Sequence, residues 1–130
     1  MRAWFLLLPL ALTACDPSAD RIAASHGQTA LDTELTGRSA GQPTDCIDVR
    51  SGTSLDIVDG STLVYRAPQA IYFNRLGSAC PGLRRTSRLA VEPALPGRYC
   101  RLDRIRVIDE GSSVAGATCP LGQFTAYARR

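Results

Sequence analysis

The residues of this sequence best suited to chemistry are its five cysteines. Four of them are separated by 33, 19 and 18 residues: Cys46, Cys80, Cys100 and Cys119. Zinc sites and redox pairs usually contain two cysteines about two to four residues apart, and no such pair occurs here. The spacing therefore favours two structural disulfides, and we expect neither a metal nor another cofactor.

Three pairings of these four cysteines are possible, and the sequence does not decide among them. Because the first and last strands of a small sheet often lie close together, it slightly favours Cys46 with Cys119 and Cys80 with Cys100. Each bridge would contribute about 3 to 4 kcal/mol by restricting the unfolded chain, which a domain with a thin core needs.

Groups for nucleophilic or acid–base catalysis are scarce. His26 is the only histidine and the chain has no lysine, whereas an activated serine or cysteine usually needs such a neighbour. The available carboxylates are Asp48, Asp56, Asp59, Glu92, Asp103 and Asp109. Asp59 precedes a glycine in a turn signal and Asp109 ends a predicted strand, so structural roles are favoured. No glycine-rich phosphate loop is present, and we expect no catalytic residues.

Charge is unevenly distributed along the chain. The 15 basic residues are all arginines and the formal net charge is +3, which is small for a nucleic-acid binder. Seven arginines within residues 83–106 form a candidate interaction face: Arg84, Arg85, Arg88, Arg98, Arg101, Arg104 and Arg106. Guanidinium groups match carboxylate and phosphate geometry, so this face predicts attraction to an acidic partner or a membrane surface. Asp48-x-Arg50 and Asp103-Arg104 are expected to form surface or cross-strand ion pairs.

The N-terminus has the layout of an export signal. Residues 4–12 are almost entirely apolar, too short for the roughly 20 residues of a spanning helix. The next residues complete Leu12-Thr13-Ala14-Cys15, which resembles the bacterial lipobox. The resemblance implies cleavage after residue 14, a lipid on Cys15, and location in the cell envelope facing the periplasm. Asp16 resembles the signal that retains lipoproteins in the inner membrane, so that membrane is slightly favoured.

The remaining chain divides into a spacer and a folded domain. Residues 15–43 contain few large aliphatic side chains, so we expect a flexible tether, with His26 in it as a solvated residue. A short helix near residues 30–35 is the alternative. Residues 44–130 contain short runs with the two-residue period of strands. The predicted strands are 46–50, 55–58, 63–66, 70–76, 102–109 and 121–127. Residues 83–95 are expected to be irregular or to hold one helical turn, and 111–118 to form a loop. The fold class is mainly β, a small antiparallel sheet or barrel stapled by two disulfides.

Several short motifs occur in a characteristic order within this domain. They are Tyr72-Phe73-Asn74-Arg75-Leu76, Cys80-Pro81-Gly82-Leu83, Cys100-x-x-Asp103-x-Ile105-x-Val107 and Cys119-x-Leu121-Gly122-x-Phe124. This series resembles an uncharacterised family of small exported proteobacterial proteins. The resemblance implies a single domain stapled by cysteines, and it implies no activity.

The sequence supports three classes of function to different degrees. The first is a non-enzymatic lipoprotein of the cell envelope that binds an envelope protein or an anionic surface through its arginines. The second is an inhibitor of an extracytoplasmic enzyme, although an inhibitor of a basic enzyme would be expected to present acidic residues. The third is an enzyme that uses carboxylates, which the structural roles expected for those residues disfavour.

Overall fold

The computed structural model describes residues 17–50, 55–109, 111 and 114–130. The predicted signal peptide and Cys15 lie outside these residues. Within them the chain forms one helix and ten short strands: α1 (Pro17–Leu35), β1 (Arg38–Ala40), β2 (Cys46–Asp48), β3 (Asp56–Asp59), β4 (Thr62–Arg66), β5 (Ile71–Arg75), β6 (Arg88–Glu92), β7 (Arg98–Cys100), β8 (Arg104–Ile108), β9 (Ala115–Pro120) and β10 (Phe124–Arg129). The prediction of a mainly β fold is confirmed.

The largest sheet has five strands in the order β1-β10-β5-β4-β3, and every neighbouring pair is antiparallel. The β3–β4 hairpin turns at Gly60 and Ser61, within the turn signal Asp59-Gly60-Ser61 of the sequence. In this turn an Asp59 side-chain oxygen accepts the backbone N–H of Ser61 at 2.9 Å. Aspartate stabilises a tight turn in this way because its short side chain reaches the backbone two residues on.

Two smaller antiparallel sheets complete the fold. β2 pairs with β7, and β8 lies between β6 and β9. β6 lies where an irregular segment was expected, and β9 lies where a loop was expected. In β9 the small residue Gly116 lets the strands approach closely, since a Cβ there would lie 2.9 Å from the carbonyl oxygen of Val107. Glycine and alanine are depleted in strands, so this pairing by backbone hydrogen bonds has little local signature.

The five-stranded sheet is covered on both faces. Leu63 and Tyr65 of β4 point into the main core, together with Ile105 of β8 and Phe124 of β10. Val64, between them in sequence, points to the opposite face and packs in a second cluster beneath α1. Because side chains alternate along a strand, the continuous apolar run in β4 indicates burial on both sides.

Helix α1 corrects the expectation of a flexible tether over residues 15–43. Gly27, Leu31 and Leu35 are spaced four residues apart, so they share the helix face that meets the sheet. Leu31 is 3% exposed, and Gly27 lies so close to β3 that a Cβ would be 2.3 Å from the carbonyl oxygen of Val58. Few large aliphatic residues are needed because the glycine brings helix and sheet into contact.

An ion-pair network fixes the C-terminal half of α1 to β4. Arg66 donates to both carboxylate oxygens of Glu34, at 2.7 and 2.8 Å, and also to Asp56. These hydrogen bonds from Arg66 hold the pKa of Glu34 below its ordinary value, against a smaller opposing effect of burial. The ionised form of Glu34 is therefore the form that the folded state prefers.

We expect Glu34→Gln to lower the free energy of unfolding at pH 7 by about 0.5 kcal/mol, because the pair is partly exposed. Since the folded state lowers this pKa, the stabilisation is present above the ordinary value of 4.5 and is lost as the pH falls below it. Urea unfolding at pH 7 and pH 3 measures this. Asp32→Asn, on the exposed side of the same helix, is the control. Equal stabilities of Glu34→Gln and the parent at pH 7 would contradict the expectation.

The four cysteines of the domain form two disulfides, Cys46–Cys100 and Cys80–Cys119. The two bridges are as predicted, but the favoured pairing of Cys46 with Cys119 and Cys80 with Cys100 is wrong. The first cysteine lies on β2, which pairs with β7, and Cys46 stands directly opposite Cys100 in that register. Cys119 lies on β9, which pairs with β8 in a different sheet, so Cys46 and Cys119 are not neighbours.

Candidate functional site

Three of the seven candidate arginines lie at the start of the three-stranded sheet or just before it. We call Arg84, Arg85 and Arg88 the arginine loop. Arg85 and Arg88 border one cleft beside Leu55 and Asp56, and Arg84 and Arg85 border another between the loop and α1. The second cleft has a volume of about 260 Å³ and is lined by Ala23, Ala24, Asp59, Gly60, Gly82, Leu83, Arg84 and Arg85. The loop thus brings exposed guanidinium groups to the edge of the helix.

Asp59 is the acidic residue in this cleft. Partial burial alone would raise the pKa of its carboxyl group, but several hydrogen bonds outweigh that effect and hold the pKa below its ordinary value. The donors are the backbone N–H of Ser61 and the side chains of Gln28, Thr62 and Ser61. Asp59 therefore stays ionised and acts as an acceptor that joins the β3–β4 turn to α1.

Two further arginines lie on the two-stranded sheet, where each has an acidic partner. Arg98 lies 3.1 Å from Asp48, and Arg101 lies 3.2 Å from Asp45. The backbone N–H of Arg101 also donates to the carbonyl oxygen of Asp45 at 2.6 Å. Asp48 thus forms a cross-strand ion pair, one of the two kinds expected, and its partner is Arg98 of β7.

The last two candidates lie on β8, on the face that points away from the core. Arg104 and Arg106 alternate along β8 with Ile105 and Val107, which are buried. The two arginines therefore point outward together. Both meet Glu92 of the neighbouring strand, Arg104 at 3.6 Å and Arg106 by a hydrogen bond. The seven arginines are therefore distributed over three places, and carboxylates among the described residues pair with Arg98, Arg101, Arg104 and Arg106.

Asp103 has a role that the sequence did not predict. It is only 6% exposed, so the expected surface ion pair with Arg104 is wrong. One carboxylate oxygen accepts the backbone N–H of Ala94 at 3.1 Å, and the other accepts the N–H of Cys100 at 2.8 Å. Asp103 thus joins the β6–β7 loop to the turn after β7. The alternation of Asp103 with buried Ile105 was the sequence signal for this burial.

The turn fixed by Asp103 contains a residue in an unusual conformation. Leu102 has φ of 72°, the only positive value at a described residue other than glycine. The N–H of Asp103 donates to the carbonyl oxygen of Cys100 at 3.1 Å, which closes a β-turn with Leu102 in its third position. Glycine or asparagine is preferred there, since a larger side chain strains the backbone. In the sequence Leu102 reads as the first residue of a strand, so no residue type there signals this turn.

The remaining chemistry of the described residues is limited. No group of three or more potential metal ligands occurs among residues 17–50, 55–109, 111 and 114–130. His26 lies on the exposed side of α1, beside Thr29 and Ala30. In the same part of the chain, no helix combines the length and apolar character required to cross a bilayer.

The compartment and the relationships of the chain follow from two observations. Two disulfides indicate an oxidising location outside the cytoplasm, because cytoplasmic thiols are kept reduced. No protein-family model, no curated protein and no solved structure matches the chain.

Proposed function

We propose that this protein is a lipoprotein of the bacterial cell envelope, anchored through an acylated Cys15, whose domain is a non-enzymatic binding module. The observation that carries the proposal is the use of the cysteines. The two disulfides account for Cys46, Cys80, Cys100 and Cys119, so Cys15 belongs to neither. The fifth cysteine is the one that occupies the acceptor position of the lipobox-like sequence.

The disulfides and the N-terminal sequence support the same location. The bridges require export to an oxidising compartment, and the apolar segment ending in Leu12-Thr13-Ala14-Cys15 supplies a signal for it. Lipid attachment then holds the exported domain at a membrane. Asp16 favours the inner membrane, with the domain in the periplasm.

The structural use of the carboxylates supports binding over catalysis. Asp59 and Asp103 are saturated with hydrogen bonds from the turns that they stabilise. Glu92 and Asp48 have arginine partners, and so does Asp56. A general acid or base needs a proton-transfer position open to substrate, whereas these oxygens already accept bonds from the protein.

The binding surface is best placed at the arginine loop. Arg84 and Arg85 are exposed and border the cleft beside α1. The class of partner that fits them carries carboxylate or phosphate groups.

Charge reversal at the loop tests this proposal in cells. The variant Arg84→Glu/Arg85→Glu is compared with Arg129→Glu/Arg130→Glu, which makes the same change of charge at exposed residues of the C-terminus. We expect only the loop variant to lose crosslinked partners, while both keep the two disulfides and remain in the membrane fraction. The variant Cys15→Ser should leave that fraction.

Two results would overturn parts of the proposal separately. Unchanged crosslinks in the loop variant would remove the arginine loop as the binding surface. Retention of Cys15→Ser in the membrane fraction would remove the lipid anchor.

A further inference from the structure

Helix α1 has a defined direction along the five-stranded sheet. Ala23 and Ala24 lie beside Asp59 and Gly60, at the β3–β4 turn. Ten residues later, Glu34 lies beside Arg66 at the other end of β4. The helix therefore starts at the end of the sheet where the β3–β4 turn lies, and runs away from it.

The turn that carries Leu102 lies at that same end of the sheet. In the sheet register Thr62 stands opposite Arg75, and Asn74 stands opposite Phe124, so the start of β10 is level with the β3–β4 turn. Leu121 precedes this start, and its carbonyl oxygen accepts the N–H of Leu102 at 3.0 Å. We call the surface formed by the N-terminal half of α1, the β3–β4 turn and the Leu102 turn the anchor end.

Exposed apolar side chains concentrate at the anchor end. The described residues include four large apolar side chains that are exposed: Ile22, Leu95, Leu102 and Val114. Leu102 is 64% exposed and Ile22 is 58% exposed. Leu95 is 49% exposed and follows Ala94, whose N–H is held by Asp103. Val114 lies between β8 and β9, next to Ala115, which pairs with Ile108 at the end of that sheet farther from Leu102.

The conformation of Leu102 indicates a role beyond folding. An exposed leucine adds little to the core, and at a positive φ it strains the backbone where glycine would not. Backbone strain at a residue that does not contribute to the core is typical of functional positions. The carboxylate of Asp103 fixes the turn, so the leucine is held outward on a rigid support.

We infer that the anchor end is the surface of the domain that lies on the membrane, with Leu102 and Ile22 inserted at the interface between headgroups and acyl chains. This inference rests on the acylation of Cys15 proposed above. Only Asp16 separates that cysteine from the first residue of α1, Pro17. Seven residues of helix, about 10 Å, then lead from Pro17 to Ala24, so the lipid holds this end close to the bilayer.

The charges at the anchor end fit a membrane that contains anionic lipids. Arg21 and Arg75 are exposed there, and Arg75 lies with its guanidinium carbon 5.4 Å from the centre of the Phe73 ring. Arginine side chains can lie along apolar surface and place the charged group among headgroups. A protein partner would instead require a complementary pocket for Leu102.

Quenching of tryptophan fluorescence by brominated lipids tests the inference. The only tryptophan of the chain is Trp4, which precedes Cys15 and is removed if cleavage occurs there. Leu102→Trp therefore places a single reporter at the anchor end, and Gln69→Trp places one in the β4–β5 turn at the other end of the sheet. The acylated protein is reconstituted in vesicles of phosphatidylethanolamine and phosphatidylglycerol with brominated acyl chains.

We expect strong quenching of Leu102→Trp and little quenching of Gln69→Trp, with both disulfides intact in each variant. Equal quenching, or stronger quenching of Gln69→Trp, would overturn the orientation while leaving the acylation of Cys15 in place. The intact mass of each preparation is measured first. A mass without an acyl group would overturn the anchor and this inference together.

Discussion

Replacing both cysteines of the Cys80–Cys119 bridge with alanine should lower the free energy of unfolding by about 4 kcal/mol. This bridge closes a loop with a sequence separation of 39 residues, and the entropy that the unfolded chain regains gives that magnitude. It also joins the loop after β5 to β9, so it ties the five-stranded sheet to the three-stranded sheet. Cys80 is buried in the main core, and alanine avoids leaving a polar hydroxyl there. Urea unfolding at pH 7 measures the effect.

The second bridge provides the comparison. Cys46–Cys100 has a sequence separation of 54 residues, so its removal should cost about the same. We also expect both double variants to accumulate to lower levels in cells, because a domain of this size depends on such bridges. Unchanged stability in both variants would contradict the structural role of the disulfides, and mapping of disulfide-linked peptides tests the pairing directly.

Gly122→Ala should lower the free energy of unfolding by about 3 kcal/mol, since overpacking costs this much where backbone must move. A Cβ at this position would lie 2.1 Å from the carbonyl oxygen of Arg75. Moving the backbone of Gly122 away from Arg75 would also disturb two hydrogen bonds of the fully buried Asn74. The side-chain amide of Asn74 donates to the carbonyl oxygen of Gly122, and its side-chain oxygen accepts the N–H of Gly122, each at 2.9 Å. The midpoint of urea unfolding measures the loss.

Gly77→Ala is the matched control for this substitution. Gly77 follows β5, and a Cβ there would meet nothing within 4 Å. Alanine in place of a glycine that needs no special conformation changes stability by about 0.5 kcal/mol, usually upward. Equal stability of Gly122→Ala and Gly77→Ala would contradict the close approach of the loop before β10 to β5.

Sequence periodicity predicted the strands whose side chains alternate between core and solvent. β8 was found in this way, because Ile105 and Val107 alternate with Arg104 and Arg106. The β3–β4 hairpin was found instead from the turn signal at residues 59–61. β6 and β9 were not found. Their pairing depends on backbone hydrogen bonds to β8, which is distant in sequence, and the small residues of β9 leave no periodic pattern.

Composition misled the prediction for the residues before β2. A segment with only three large aliphatic residues was expected to be unable to bury a surface. Two of them, Leu31 and Leu35, lie on the face of α1 that packs against the five-stranded sheet. Gly27 lies on the same face, four residues before Leu31, where the helix approaches the sheet most closely. The second face of β4 and β5 supplies the other side of that contact, and a tertiary surface of this kind cannot be read from the helix sequence itself.

The candidate site was predicted by residue type but not by position. The charge count identified the stretch of the sequence in which arginines outnumber acidic residues. It could not show which of these arginines contact a carboxylate on a neighbouring strand. Glu92 alone binds two of them, Arg104 and Arg106. Leu102 was missed because a positive φ is a property of the turn that Asp103 closes, and leucine is not a residue that signals it.

The most direct test of this account is the intact mass of the native protein, extracted from membranes with free thiols alkylated before any reduction. The account predicts a chain that starts at Cys15, carries a lipid on that residue and contains no alkylated cysteine. Two or more alkylated cysteines would contradict the disulfides, and an unmodified Cys15 would contradict the anchor on which the proposed function rests.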